Sequence, residues 1–347
     1  MALYSIEGKF LTQTLTGTQR YAIEIVHELD RVCEPGEFEI VVPDGTEIKN
    51  DPLLDHIPLV RFGCHTGPQW THIDFSHYCK KVNSTPLCLN NIAPIHTPSV
   101  VTIHDVSPRA NREFYGWKYR AYQNFCLAFN TRNAKLIFTD TDFSRSEIER
   151  YYPCAAGKTK VVPCSWQHME DIKITAGALA KHGLEPGGYW FAMSSLTPNK
   201  NLRWIVETAR LNLNETFIVA GGINTKTFGE HDIPTAENVS YIGYVTDGEA
   251  KELMSNCKGF LFPTFYEGFG IPPMEAMASG APLCIVGDNP CMHEVYGNSV
   301  VFVDPNVPCA DLAGLAQVSL APVDDVLARF SWRSSAEKMI EALRELQ

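Results

Sequence analysis

The stretch "GFLFPTFYEGFGIPPMEAMASGAPLCIVGD", residues 259–288, decides the fold. "GFLFPTF" (259–265) is an almost unbroken apolar run of strand length, and "APLCIVGD" (281–288) is a second. Strands buried on both faces read in this way, without polar–apolar alternation. Between them, Gly268 and Gly270 form a turn, and Pro272 and Pro273 suit the first turn of a helix, where missing amide hydrogens cost little. Strand, helix, strand is the repeating unit of a parallel α/β sheet. Glu267 then stands just past the carboxyl end of a strand, where such sheets bind their ligands, and Glu275 lies about one turn into the helix. The N–H groups of Phe269, Gly270 and Ile271 face an anion at that helix's N-terminus. Two carboxylates flanking an anion site match a ligand with hydroxyls on both sides of its phosphates, the layout of a sugar–diphosphate–nucleoside.

Outward from this unit, the same alternation fills the chain. "EFEIVVP" (37–43), "SVVTIHDV" (99–106), "AKLIFTD" (134–140) and "TKVVP" (159–163) are strand-like in the first half. "YWFAMSS" (189–195), "ETFIVAGG" (215–222), "NVSYIGYV" (238–245) and "SVVFVDP" (299–305) join the two runs above in the second. "RYAIEIVHELDRV" sets Tyr21, Ile25, Leu29 and Val32 on one helical face. "SRSEIERYY" opens with Ser144 and Glu147 in capping-box spacing. The expected architecture is α/β: two Rossmann-like domains, 1–165 and 166–330, with the irregular stretch 163–188 as the linker region. The last helix, 331–347, is expected to cross back onto the first domain through Trp332, Ala336, Met339, Ile340 and Leu343.

Bulk properties narrow the function. A chain of 347 residues suits two domains, and 45% hydrophobic with 20% charged residues is ordinary globular composition. No run approaches the roughly 18 apolar residues that span a bilayer. "MALYSIEGKF" lacks a basic region before an apolar stretch, so no secretory signal is expected. The eleven cysteines include no C-x-x-C pair, which points to a reduced cytoplasm and away from disulfides or structural zinc. A net charge of −11 argues against nucleic acid as partner, and nearly all the acidic excess lies beyond residue 167.

Taken together, the motifs resemble the retaining glycosyltransferases of the GT-B fold, especially family 4. Glu267 and Glu275 match the family's E-x₇-E signature. "TGTQRYAIEI" resembles its N-terminal loop and helix, "VVTIHDVSP" its histidine strand end, "FTDTDFSRSEIERYY" its following strand and helix, and "LTPNKN" its diphosphate-binding turn. The resemblance implies two parallel sheets facing across a cleft that closes over a nucleotide-sugar donor. It implies that Glu275 binds the ribose and Glu267 the donor hexose, with backbone amides at Gly268, Phe269, Gly270 and Ile271 helping. Lys200 would neutralise the leaving diphosphate, His104 would face the hexose near the reacting carbon, Gly17 would line the phosphate and acceptor loop, and the turn around Val245 would meet the base. Ser195 stands where the family often has an arginine, and Arg20 is a candidate for the second positive charge. No Asp-x-Asp stands where a metal would bridge phosphates, so neither metal nor cofactor is expected.

Each of these residues also has a plain structural reading. The two glutamates suit a solvated helix start, Lys200 an exposed turn, and His104 the core of an apolar strand; their joint occurrence in order favours the functional one. Residues 107–135 carry six Lys+Arg against one acidic residue, with seven aromatics. The bland reading is an amphipathic helix. The functional one is a surface for a glycan or lipid-linked acceptor at the inner face of a membrane, with Arg109, Arg112, Trp117, Lys118 and Arg120 as contacts. The expected activity is retaining, metal-independent transfer of a mannosyl-, glucosyl- or galactosyl-type unit to a hydroxyl in surface polysaccharide synthesis, such as O-antigen or capsule, because "GKFLTQTLTGTQRYA" resembles that subgroup. An epimerase or phosphorylase of the same fold, or a non-catalytic nucleotide-sugar-binding partner, are the alternatives.

Overall fold

The computed structural model describes residues 3–222 and 233–346. The chain divides into two compact units: Met1–Ala110, Arg120–Cys164 and Ser331–Gln347 form one, and Asn111–Tyr119 with Ser165–Phe330 the other.

The first unit holds a seven-stranded parallel sheet. Its strands are β1 (Tyr4–Glu7), β2 (Phe38–Val42), β3 (Leu59–Arg61), β4 (Thr85–Cys88), β5 (Val100–Thr102), β6 (Leu136–Thr139) and β7 (Thr159–Val161), in the order β3-β2-β1-β4-β5-β6-β7. Three of these, β1, β3 and β4, are absent from the strand-like runs of the sequence. β1 is only four residues and ends in a glutamate, and β4 contains a proline, so neither stands out locally. Both are nonetheless central: β1 pairs with β2 and with β4, Ile6 lying beside Ile40 on one side and Leu87 on the other.

The helix Gly17–Val32 buries Tyr21, Ile25 and Leu29 on one side. Helix Asp142–Tyr151 starts one turn earlier than its capping-box pattern suggests, because Thr141, not Ser144, is the cap: its Oγ1 accepts from the Ser144 amide at 3.0 Å. The final helix, Trp332–Arg344, belongs to this first unit. Trp332 meets Tyr21 edge-on with ring centres 6.0 Å apart, Tyr4 donates its hydroxyl to the Leu343 carbonyl at 2.6 Å, and Arg344 clasps Glu37 through two bonds of 2.8 and 2.9 Å. Burying such a stripe, rather than helix propensity, is what holds a helix of this length in place.

The second unit holds six parallel strands, β8 (Trp190–Met193), β9 (Phe217–Ala220), β10 (Val239–Gly243), β11 (Gly259–Phe262), β12 (Cys284–Gly287) and β13 (Val301–Val303), ordered β10-β9-β8-β11-β12-β13. Both sheets therefore reverse their winding once, at β1/β4 and at β8/β11. In doubly wound sheets that reversal opens the ligand crevice at the strands' carboxyl ends. Residues 111–119, expected within 1–165, group with this second unit, where Phe114 stacks on Phe265 at 5.6 Å between centres.

Candidate functional site

At the reversal of the second sheet, the chain leaving β8 and the chain leaving β11 run side by side. The turn after β8 is tied to the segment after β11 by several polar contacts. Asn201, in the left-handed region at φ +58°, donates its amide to the carbonyls of Pro263 (3.0 Å) and Pro305 (2.7 Å). The Phe265 amide donates to the Asn199 carbonyl at 3.1 Å, and Thr197 donates its hydroxyl to Asn199 Oδ1 at 2.7 Å. These bonds hold Lys200 over the ring of Phe262, 5.2 Å from its centre, with its ammonium 2.7 Å from Glu267 Oε1. Both side chains are mostly but not fully buried, at 18% and 11% exposure. An arriving anion competes with Glu267 for this cation, and an arriving hydroxyl competes with Lys200 for the carboxylate.

The helix Ile271–Ala278 begins at Gly270, whose φ of +83° is open to glycine and strained for other residues. A Cβ there would also stand 2.5 Å from Met292 Cε. Tyr296 braces the turn, its hydroxyl donating to the Gly270 carbonyl and accepting from the Met274 amide at 3.1 Å. Pro272 and Pro273 carry no N–H, so the amides of Phe269, Gly270 and Ile271 mark the positive end of this helix. The side chain of Phe269 is buried against Phe330, and Gly268 and Ile271 are buried too. Glu275 receives a hydrogen bond from His168 Nε2 at 3.0 Å. No sequence signal marked His168: it lies in the irregular stretch 163–188, and its contact spans 107 residues.

Ser195 is exposed and Val245 buried, the latter just before Thr246, which forms a capping box with Glu249 at the start of helix Asp247–Ser255. The described residues of both units contain no group of three His, Cys, Asp or Glu side chains placed to share a metal ion.

In the first unit, Gly17 opens the helix after Thr16 and is exposed, with open space where a Cβ would project. Arg20 reaches Glu24, one turn along the same helix, at 3.4 Å. His104 is only 6% exposed. Its Nδ1 lies 2.9 Å from Asp140 Oδ2, its Nε2 3.3 Å from the Leu89 carbonyl, and Tyr21 packs edge-on against the ring at 4.9 Å. Burial alone would lower the imidazole's pKa; the charge and hydrogen bond of Asp140 outweigh it and raise the pKa above the ordinary histidine value. Asp140 is the partner that sequence reasoning missed, since nothing in "FTDTDF" shows which aspartate turns toward His104.

The basic–aromatic residues are divided between the units. Arg109 and Arg120 lie in the first, and Arg112, Trp117 and Lys118 in the second. Trp117 is 69% exposed, with Lys118 5.6 Å from its ring centre. No helix of the described residues is long and apolar enough to cross a membrane.

The second unit matches the family described as "Glycosyl transferases group 1" over residues 180–320. The chain is 30% identical to the O-antigen chain mannosyltransferase B of Escherichia coli over 269 residues, covering 72% of this chain and 70% of that protein. It is 25% identical to the O-antigen chain mannosyltransferase RfbU of Salmonella typhimurium, covering 69% of this chain and 65% of that one. Among solved structures, HepE of Anabaena in complex with UDP-glucose superposes with a TM-score of 0.70 at 16% identity, over 99% of both chains. The chain belongs to the group 1 glycosyl transferases, as a GT-B glycosyltransferase of the family 4 type.

Proposed function

We propose that the protein is a retaining, metal-independent hexosyltransferase of the mannosyl type. It takes the sugar from a nucleoside-diphosphate donor and passes it to a hydroxyl of a glycan or lipid-linked glycan during assembly of an O-antigen-like surface polysaccharide. The observation that carries this reading is the Lys200–Glu267 pair beside the helix start at Gly270, at the sheet's reversal point. The description of two relatives as O-antigen chain mannosyltransferases favours mannose.

In this reading Lys200 leaves Glu267 for the diphosphate and Glu267 accepts a hydrogen bond from a hexose hydroxyl, while Glu275, oriented by His168, takes the ribose hydroxyls. The bond between the anomeric carbon and the phosphate oxygen breaks as the acceptor oxygen attacks the same face. The acceptor's proton passes to the departing phosphate. Stabilising that departing charge is the main task, for which an ammonium at the strand end and helix-start amides are suited. His104 lies near the hexose in this reading, and Gly17 beside the phosphates. The carrier lipid of the acceptor brings Trp117 and its basic neighbours to the inner face of a membrane.

The test is incubation with guanosine and uridine diphosphates of mannose, glucose and galactose, with and without a mannoside acceptor, in EDTA. The expected result is acceptor-dependent release of nucleoside diphosphate and a product whose anomeric proton reports the donor's configuration. An inverted product would overturn retention, and activity lost to EDTA but restored by manganese would overturn metal independence. Consumption of inorganic phosphate, or an epimerised donor, would instead identify a phosphorylase or an epimerase.

A further inference from the structure

The first sheet reverses its winding at β1/β4, and its reversal point carries polar side chains that no motif marked. Glu7 ends β1 and is 1% exposed. Its Oε1 accepts from the buried Thr71 hydroxyl at 2.8 Å and faces the Lys9 ammonium at 3.2 Å, whereas Oε2 is buried without a protein donor. His72 follows Thr71 in a π-helical turn, Trp70–Phe75, a rare geometry concentrated at functional sites. Its Nε2 lies 3.0 Å from the Tyr122 hydroxyl, and its Nδ1 is likewise buried without a partner. Burial, then the Lys9 charge, hold His72 below the ordinary histidine value, so the ring is neutral at pH 7. Glu7's charge is felt at Tyr122 and at Cys88 on β4, both of whose pKa values are raised mainly by burial. A buried carboxylate oxygen and an imidazole nitrogen left unsatisfied beside an ammonium are costly unless something completes them.

We propose that Glu7, Lys9 and His72 form a subsite for the acceptor sugar within the first unit, Glu7 and His72 receiving or exchanging hydrogen bonds with its hydroxyls. Hydroxyls fit because each both donates and accepts: they donate to Glu7 Oε2, pair with His72 Nδ1 in either tautomer, and accept from Lys9. A phosphate would fit Lys9 but would be repelled by Glu7. Lys9 is the group that gives way for entry. Its side chain is the more exposed of the pair, 12% against 1%, and its second contact, to the Gly67 carbonyl, is long at 3.3 Å. The backbone at Gly8 packs closely on β2, where a Cβ would meet Ile40 Cγ2 at 2.6 Å and the Val41 carbonyl at 2.7 Å. The opening is therefore a side-chain movement of Lys9 over this closely packed backbone.

This subsite rests on the glycosyl-transfer reading, so its test reads acceptor binding without turnover. Saturation-transfer NMR with methyl α-mannoside, methyl α-glucoside and methyl α-galactoside is run on the wild type and on Glu7→Gln and His72→Gln proteins whose circular dichroism matches wild type. The expected result is saturation of at least one glycoside by wild type, with binding weakened tenfold or more in both variants. Where turnover is seen, the acceptor Michaelis constant rises by the same factor and the donor constant changes less than twofold. Wild-type-like binding in His72→Gln overturns the subsite even if Glu7→Gln fails to fold. No glycoside bound by wild type also overturns it. Glycoside binding lost in the variants while no donor is ever consumed upholds the subsite and removes the transferase reading instead.

Discussion

Lys200 Nζ and Glu267 Oε1 lie 2.7 Å apart although 67 residues separate them, each at the carboxyl end of a strand flanking the reversal of the second sheet. The pair keeps two groups of opposite charge side by side at the site proposed for a ligand that needs both, phosphate for one and hydroxyl for the other. Lys200→Ala is expected to lower kcat by about 100-fold or more, typical for loss of a group that stabilises departing charge. Glu267→Ala should lower kcat while leaving nucleoside-diphosphate affinity within a few fold. Calorimetry with the bare diphosphate, set beside initial rates, separates the two; equal losses in binding and turnover for Glu267→Ala would place it on the nucleotide instead of the hexose.

Glu275→Ala should weaken nucleoside-diphosphate binding by about 1.5–3 kcal/mol, the usual range for a charge-assisted hydrogen bond. His168→Ala should produce a smaller loss of the same kind, since His168 orients Glu275 through its 3.0 Å bond. In the double variant the two effects should be less than additive, because they share one interaction. Full additivity would show that His168 acts independently.

Gly270→Ala should destabilise the second unit by about 1–3 kcal/mol from backbone strain alone. Met292 is itself fully buried, so adding Met292→Ala relieves the clash at 2.5 Å but opens a cavity and leaves the positive φ, and the double variant should be no more stable than Gly270→Ala. Urea unfolding monitored by fluorescence measures both.

The Asp140–His104 pair should make stability depend on pH in one direction. Its folded histidine pKa is raised above the unfolded value of 6.5 by Asp140. The stabilisation is therefore complete below about pH 6.5 and is lost as pH rises through the folded value. Asp140→Asn should cost most near pH 5.5–6 and least near pH 9. A stability difference that is flat or grows with pH would contradict a raised histidine.

Replacing Arg109, Arg112, Lys118 and Arg120 with Gln should reduce sedimentation with anionic liposomes at low salt, as each basic residue near such a surface contributes about 1 kcal/mol. Unchanged sedimentation would leave the exposed Trp117 as an ordinary surface residue.

The periodicity of the sequence was enough for the α/β class, for two parallel sheets, and for the strands whose apolar runs are long. It also placed Glu267 and Glu275 about the end of a legible strand, where glycines and prolines crowd; Lys200 came instead from the resemblance of "LTPNKN" to the family's diphosphate-binding turn. β1 and β4 escaped the periodicity: a four-residue strand ending in Glu7, and one containing Pro86, carry too little local pattern. They become central only when both faces and both edges are covered by neighbours far along the chain, and with them went any sign of the Glu7 cluster. The pairs His168–Glu275, Asp140–His104 and Lys200–Glu267 have the same origin. Composition and spacing report which groups stand at strand ends, but which of them meet depends on the order in which the strands stack, and hydrogen bonds form only at the few ångströms that this stacking sets.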